Sequence, residues 1–340
     1  MSNNLKLNPR ILELLRKNSP TMSDVYVSAP LTGMSVGYMQ DQQDFLVNRL
    51  NAFIDVPKPT GQFFKHTKDD WFRSTAAKRA YGTQSAGGDY ALTTGTYSCN
   101  AWGIHKDTPS EVLAAAESIL KMDEKAMQYV TNQILLGMDI DLVDVLLKPS
   151  VWFADWTGAA ADDGSLAVTY WNRDGSKPIR DVRNIAKRIR TRTGKRANVG
   201  IFGSDVILAL ENNADIISRF PGSNEVMIDE AALARHFKLD KVFVFDTAKN
   251  TANKGATSPT MADVFGKHAW IGYLDPNPGI DTATAFATHR CTALYGSQGG
   301  MQIKRFEMVA EDVVRVEAKA MWQHNVIARD CGEFLSGIVE

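Results

Sequence analysis

Residues 108–137 read TPSEVLAAAESILKMDEKAMQYVTNQILLG, and this run decides the architecture. Thr108-Pro109-Ser110-Glu111 has the form of a capping box with proline at the first helical position. In such a box the Thr108 hydroxyl takes one orphan N–H while Glu111 reaches back for another. Val112, Leu113, Ala116, Ile119, Leu120, Ala126, Met127, Val130, Ile134 and Leu135 then recur at helical spacing, with Glu117, Lys121, Glu124 and Lys125 mostly on the other side. A helix running to about Gly137 would span on the order of 40 Å at 1.5 Å per residue. That is long for a compact α/β domain and suits a spine to which other parts attach.

Upstream, residues 57–101 change character. Prolines and glycines frame scattered aromatics (Phe63, Phe64, Trp71, Phe72, Tyr81, Tyr90, Tyr97) among Lys65, Lys68, Asp69, Asp70, Lys78 and Arg79. A buried strand pair would alternate apolar residues more densely. The segment therefore reads as a long, exposed two-stranded excursion with a loose tip near Ser85-Ala86-Gly87-Gly88. A lone hairpin of that length is barely stable in water. Its aromatics need a surface, and the expected one belongs to a neighbouring subunit, which makes Phe63, Phe64, Trp71, Phe72, Tyr81 and Tyr90 candidate interface residues. At the start of the chain, Asn8 and Pro9 open a short helix bearing Ile11, Leu12, Leu14 and Leu15, which must dock to persist. Phe45, Leu46, Leu50 and Phe53 are the expected buried positions that follow.

Downstream, Trp152, Trp156 and a small-residue loop over 158–164 precede a compact α/β unit. Pro178 opens a helix with Ile179, Val182, Ile185, Ala186 and Ile189 on one face, closing at Gly194. A strand is expected over 197–202, a helix capped by Ser204 through Leu210, a helix begun by Asp229, and strands over 241–245 and 268–274. The tail reads as three strands, 301–308, 313–320 and 325–328.

Composition sets limits on function. With 44% hydrophobic and 23% charged residues in 340, the chain is an ordinary globular protein of two domains, or of one with long excursions. A formal net charge of −1 excludes a polycation that coats nucleic acid by charge alone. Cys99, Cys291 and Cys331 have neither CxxC spacing nor an even count, which fits buried thiols in a reducing compartment such as a bacterial cytoplasm. No run approaches the ~20 apolar residues of a membrane span. Glu13, Arg16 and Lys17 interrupt the first apolar cluster, so no signal peptide is expected.

Catalytic signatures are equally sparse. No GxGxxG or Walker-type loop occurs, and Gly296-Ser-Gln-Gly299-Gly300 reads as a plain turn. The histidines His66, His105, His236, His268, His289 and His324 lack metal-ligand spacing. His289-Arg290-Cys291 puts a base beside a thiol, but a nucleophile and its base are brought together by the fold and not by adjacency. No carboxylate pair has a pattern specific to acid–base chemistry. The expectation is therefore no catalytic, cofactor or metal site. One charge feature stands out: Arg180, Arg183, Lys187, Arg188, Arg190, Arg192, Lys195 and Arg196 place eight cations in seventeen residues. Such a stripe is either a phosphate-binding face or a solvated helix side with cations favoured near its C-terminus. The second reading is preferred, with Arg180, Arg183 and Lys187 as candidate inter-subunit contacts.

Taken in order, these parts resemble the tailed-bacteriophage major capsid proteins of the Hong Kong 97-type fold. Tyr97-Ser-Cys-Asn-Ala-Trp-Gly-Ile104 leading into Asp107-Thr-Pro-Ser110 is similar to the end of that family's extended loop entering its spine helix. Pro178-Ile-Arg-Asp-Val-Arg-Asn-Ile185, Thr193-Gly-Lys-Arg-Ala-Asn198 and Val206-Ile-Leu-Ala-Leu-Glu-Asn212 look like its axial helix, strand and helix. Asp312-Val-Val-Arg-Val-Glu317 and Val326-Ile-Ala-Arg-Asp-Cys-Gly332 look like its closing strands. The resemblance implies an α+β fold with an N-terminal arm (1–56), an extended loop or β-hairpin (57–101), a peripheral domain with the spine helix (102–150), an axial α/β domain (151–308) and a peripheral strand returning to the axial domain (309–340). It further implies self-assembly into hexamers and pentamers of an icosahedral shell around double-stranded DNA bound without sequence specificity. Scaffolding, portal and decoration proteins would be partners, no membrane would be involved, and the virion would be assembled in the host bacterial cytoplasm. Some members cross-link through a lysine of the extended loop, but no motif singles out Lys65, Lys68 or Lys78 for that reaction. The alternatives are an encapsulin-type compartment, which shares the fold, and a nucleic-acid-binding protein using residues 180–196.

Overall fold

The described parts of the run that decides the architecture are helical from Ser110 on, and the helix ends later than its sequence pattern proposes; residues 116–121 lie outside the described residues. The computed structural model describes residues 45–66, 72–115, 122–161, 164–219, 229–253, 256, 258, 260–293 and 300–340. The short helix expected near Pro9, and all of the expected 296–300 glycine turn but Gly300, lie outside them. Helix α1 spans Leu46–Leu50, α2 Ser110–Ala115 and α3 Met122–Leu146. Gly137 does not end α3. A Cβ there would meet open space, and Met138, Leu142, Val143 and Leu146 continue the buried stripe begun by Ala126, Met127, Val130, Ile134 and Leu135. The expected capping box does not form, because Thr108 and Pro109 close strand β4 (Asn100–Pro109) opposite Val314 and Val313. The helix begins one residue on, at Ser110, whose N–H and hydroxyl both donate to the Asp312 carbonyl at 3.0 Å.

Two sheets flank the α3 stripe. In the five-stranded sheet, β1 (Phe53–Val56) runs parallel to β12 (Phe286–Cys291), which pairs with β14 (Val313–Val326). The long β14 also pairs with β13 (Met301–Met308) and, on its other edge, with β4. The two strands expected at 313–320 and 325–328 are therefore one. The alternation breaks at Met321-Trp322 because both residues are buried there, one on each side of the sheet.

The six-stranded sheet has the order β6 (Ala167–Thr169), β5 (Asp155–Ala159), β15 (Gly332–Ser336), β11 (Ala269–Gly272), β7 (Val199–Gly203), β8 (Lys241–Phe245). All pairs are parallel except those made by β11. One face, with Phe202, Val242, Ala269, Ile271 and Leu335, packs on helices α4 (Pro178–Thr193), α5 (Ser204–Glu211), α6 (Ala214–Ile217) and α7 (Glu230–Phe237). The other face, with Val199, Ile201, Phe243, Phe245, Trp270 and Phe334, shares a core with α3 and the five-stranded sheet. A short ladder, β9 (Ala248–Asn250) with β10 (Met261–Asp263), stands apart.

Helix ends follow the local chemistry. Gly194 takes the left-handed conformation (φ 69°) that closes α4, and Asp229 caps α7 by accepting the Ala232 N–H at 2.7 Å. Ser204 opens α5 but does not cap it: its hydroxyl donates to Asp263 Oδ2 at 2.6 Å.

Candidate assembly surfaces: the hairpin and the basic helix

Strands β2 (Thr60–His66) and β3 (Leu92–Ser98) form the expected antiparallel hairpin. Its register sets each inward aromatic opposite a glycine, Phe63 against Gly95 and Tyr97 against Gly61. A Cβ on Gly95 would lie 2.4 Å from the Phe63 ring and one on Gly61 2.4 Å from the Tyr97 hydroxyl, so both rings lie flat across the opposing strand. There they meet His289 of β12. Tyr97 stacks on the imidazole at 4.7 Å and 8°, and Phe63 at 5.6 Å and 30°. Ile54, Val56, Cys99, Ala287, Cys291, Met321 and Ile327 complete this satellite core.

Phe63 is thus corrected. It was expected at a subunit interface, but it is 3% exposed within its own chain. The spacing of aromatics in 57–101 does not show that β12 supplies a ring for the hairpin base to stack on. Burial holds the His289 imidazole down to about 4, so at neutral pH an uncharged ring sits between the aromatics, its Nδ1 facing the Asn325 amide at 3.0 Å. The His289-Arg290-Cys291 triplet is accordingly a packing unit. Burial pushes the nearby Cys99 thiol up to about 11, away from thiolate chemistry.

The tip differs. Phe64 (50% exposed), Phe72 (66%), Tyr81 (107%) and Tyr90 (56%) stand in solvent, while Trp71 lies outside the described residues. Phe72 reaches back to α4, where its ring lies 2.8 Å from where a Cβ on Gly194 would be.

On α4 the apolar positions Ile179, Val182, Ile185 and Ile189 are fully buried as the spacing predicts. Most cations beside them are engaged within the chain. Arg183 donates from Nε and Nη2 to the His236 carbonyl at the end of α7 (3.1 and 2.7 Å). Arg192 donates to the Asp330 carbonyl (3.1 and 2.8 Å) and to the fully buried Glu333 (2.9 Å), and lies 3.9 Å from the Phe153 ring. Arg196 donates to the Lys238 carbonyl, and Arg180 pairs with Asp181 at 3.2 Å. Glu333 also accepts the Trp156 indole N–H at 2.7 Å. Arg188 also reaches Glu333, at 3.6 Å, while Lys187 lies beside Trp156, Asn184 and Thr191 along an open trough of about 540 Å³. Arg188 lies 5.0 Å over the Trp156 ring. Of the three cations singled out from sequence, Arg183 is therefore tied to its own chain, Arg180 is half-exposed beside Asp181, and Lys187 faces solvent. The sequence shows neither the role of His289, named there only beside Cys291, nor those of Glu333 and the buried Asp139, since each acquires its partners from strands or helices distant in the chain.

No protein-family model matches the chain. It is similar to the major capsid protein of Burkholderia phage BcepMu, 20% identical over 92% of this chain and 96% of that protein. Among solved structures, a phage-related protein from Bordetella bronchiseptica matches with a TM-score of 0.68 at 15% identity, over 92% of this chain and 98% of the other. The capsid of cyanophage P-SCSP1u matches at 0.51 with 10% identity over 84% and 85%. The SrpI encapsulin of Synechococcus elongatus matches at 0.51 with 11% identity over 99% and 97%. The fold is the Hong Kong 97-type shell fold, as the resemblance implies.

Proposed function

We propose that this chain is the major capsid protein of a tailed phage, a structural subunit that closes into the icosahedral head shell. The observation that carries the reading is end-to-end similarity to a phage major capsid protein, over 92% of one chain and 96% of the other, together with a shell fold. The partners are first of all further copies of the chain, in hexamers and pentamers, then scaffolding, portal and decoration proteins and packaged double-stranded DNA held without sequence specificity. Assembly takes place in the host cytoplasm and the product resides in the virion. The role is structural and not catalytic.

Within this reading, the described tip aromatics Phe64, Phe72, Tyr81 and Tyr90 are the surfaces that a neighbouring subunit covers, since exposed rings gain most by burial between copies. Residues 1–56 serve as the arm, 57–101 as the extended loop, 102–150 and the long strand of 309–340 as the peripheral part, and 151–308 as the axial domain. Lys187 is an outward cation of α4 available to a carboxylate of a second copy.

Electron microscopy of the purified protein, expressed with and without its scaffold, tests the proposal. Closed shells or ringed capsomers are expected. A chain that stays monomeric at high concentration in both conditions overturns it. An encapsulin-type compartment is the second reading, favoured by the match to SrpI over nearly the full length of both chains. Shells purified with a protein cargo and no DNA would select it.

A further inference from the structure

Helix α1 (Leu46–Leu50) is too short to form alone and has no cap of its own: the residue before it is Phe45, and no acidic side chain occupies its first turn. Its first N–H groups are taken instead by a carboxylate far along the chain. Leu46 N–H donates to Asp139 Oδ2 at 3.1 Å and Val47 N–H to Asp139 Oδ1 at 3.0 Å. The Thr247 hydroxyl, just past β8, donates to Oδ2 at 3.0 Å.

Asp139 stands in the buried stripe of α3 and is 0% exposed. At such a position leucine would pack without the cost of burying a charge. All three of these bonds go to elements other than its own helix, so they join three parts of the molecule and do nothing for the stripe itself. Burial pushes the carboxyl up to about 6, and the two amides and the hydroxyl pull it the other way. A second tie lies at the other end of α1. Arg49 donates to both oxygens of Glu230 at 2.7 Å and to the Val244 carbonyl at 3.0 Å.

We infer that Asp139 is a positioning residue for assembly: by capping α1 against the spine helix and the six-stranded sheet, it fixes Leu46–Leu50 to the body of the subunit. The inference rests on the shell-building reading, in which an arm rooted at α1 reaches a neighbouring copy. An arm whose root swings freely would meet its neighbour at many angles, and a closed shell tolerates few.

The experiment uses the full chain carrying Asp139→Leu, Asp139→Asn or Thr247→Val. Three quantities are measured: hydrogen exchange at the Leu46 and Val47 amides, the rate of trypsin cleavage after Arg49, and assembly products by electron microscopy. Near-ultraviolet circular dichroism from the buried tryptophans reports the core. Asp139→Leu is expected to keep the core signal, lose protection at both amides, be cleaved after Arg49 about tenfold faster, and yield few closed shells. Asp139→Asn, which can still accept one amide, should recover most of the assembly. Unchanged amide protection in Asp139→Leu overturns the anchor, and lost protection with normal shells overturns its part in assembly. If Asp139→Leu loses its core signal, Thr247→Val decides: faster cleavage with slower assembly supports the anchor, and no change in either overturns it. Wild-type chain that forms no shells at all sinks the shell-building reading, while amide protection in the soluble variants still judges the anchor.

Discussion

The hairpin tip and the outer face of α4 both stand out in the sequence, one for scattered aromatics and the other for clustered cations, yet the chain treats them oppositely. On α4 it provides for its own charge: the His236, Asp330 and Lys238 carbonyls and the buried Glu333 take up Arg183, Arg192 and Arg196. At the tip it leaves Phe64, Phe72, Tyr81 and Tyr90 in water. A guanidinium finds carbonyl partners at helix ends and strand turns, whereas rings beyond a two-stranded ribbon stay largely exposed even where, like Phe72, they touch α4. Under the shell-building proposal, exposed apolar surface is the place to look for contact with a second copy before a run of cations that its own chain engages.

The sharpest way to break that contrast is to remove the tip. Deleting residues 72–91 and joining the strands by a short turn should abolish shell formation. Because the tip buries little, the thermal midpoint of the unassembled subunit should barely move. Normal shells from the deletion variant would show that Phe72, Tyr81 and Tyr90 do not hold copies together. A smaller effect separates tip from base. Phe63→Ala should cost about 3–5 kcal/mol, the range for removing a buried phenylalanine, since its ring fills the core under the hairpin against His289. Tyr81→Ala should leave subunit stability within about 0.5 kcal/mol while slowing assembly. Urea unfolding of the subunit, paired with light-scattering assembly kinetics, measures both.

How far the sequence could be read follows the same division between local and distant partners. The stripes of α3 and α4, the Gly194 stop, the Asp229 cap and the hairpin are set by residues a few positions apart, and periodicity and turn chemistry expose them. The true start of the spine helix was not legible, because β14 recruits Thr108 and Pro109 into a ladder from some two hundred positions away. Strands β1 and β12 escaped notice for a related reason. Their residues, FIDV and FATHRC, alternate poorly, and they are strands because each supplies the other's edge. Of the candidate assembly surfaces, the exposed tip is legible as an excess of aromatics without a core. Which ring turns inward is not, since that depends on His289 meeting the strand pair from above.

Acid should act on the hairpin base and spare the tip. Burial holds both His289 and His324 down to about 4, against an ordinary value of 6.5. As pH falls from 6.5 towards 4, the unfolded chain gains a proton on each ring that the folded chain refuses, and stability drops. Asp139 works the other way: with its carboxyl at about 6, the folded chain takes a proton in the same window before the unfolded chain does. These three groups by themselves leave a net loss on the order of 3 kcal/mol across that range. His289→Phe keeps the stack but not the titration; Asp139 then nearly offsets the remaining histidine, so the variant should lose most of the slope. Urea midpoints at several pH values, for wild type and variant, measure it, and an unchanged slope would remove His289 from the account.

The smallest expected effect lies on α4 and bears directly on the contrast with the tip. Arg183 and Lys187 are one helical turn apart and carry the same charge, but Arg183 gives two hydrogen bonds to the His236 carbonyl and Lys187 faces the open trough. Arg183→Glu removes those donors and sets a carboxylate against a carbonyl oxygen, so it should lower subunit stability by about 1–3 kcal/mol. Lys187→Glu should change stability by no more than about 0.5 kcal/mol, because an exposed cation contributes little to its own fold. If α4 contributes to contacts between copies, Lys187→Glu will nonetheless delay assembly, and added salt, which screens exposed pairs, will narrow its gap from wild type. Should Lys187→Glu assemble at the wild-type rate at low salt, the outer face of α4 is a solvated surface and the tip carries the association. Should shells form normally but release DNA at lower salt, the cations face the packaged genome and not a neighbouring subunit.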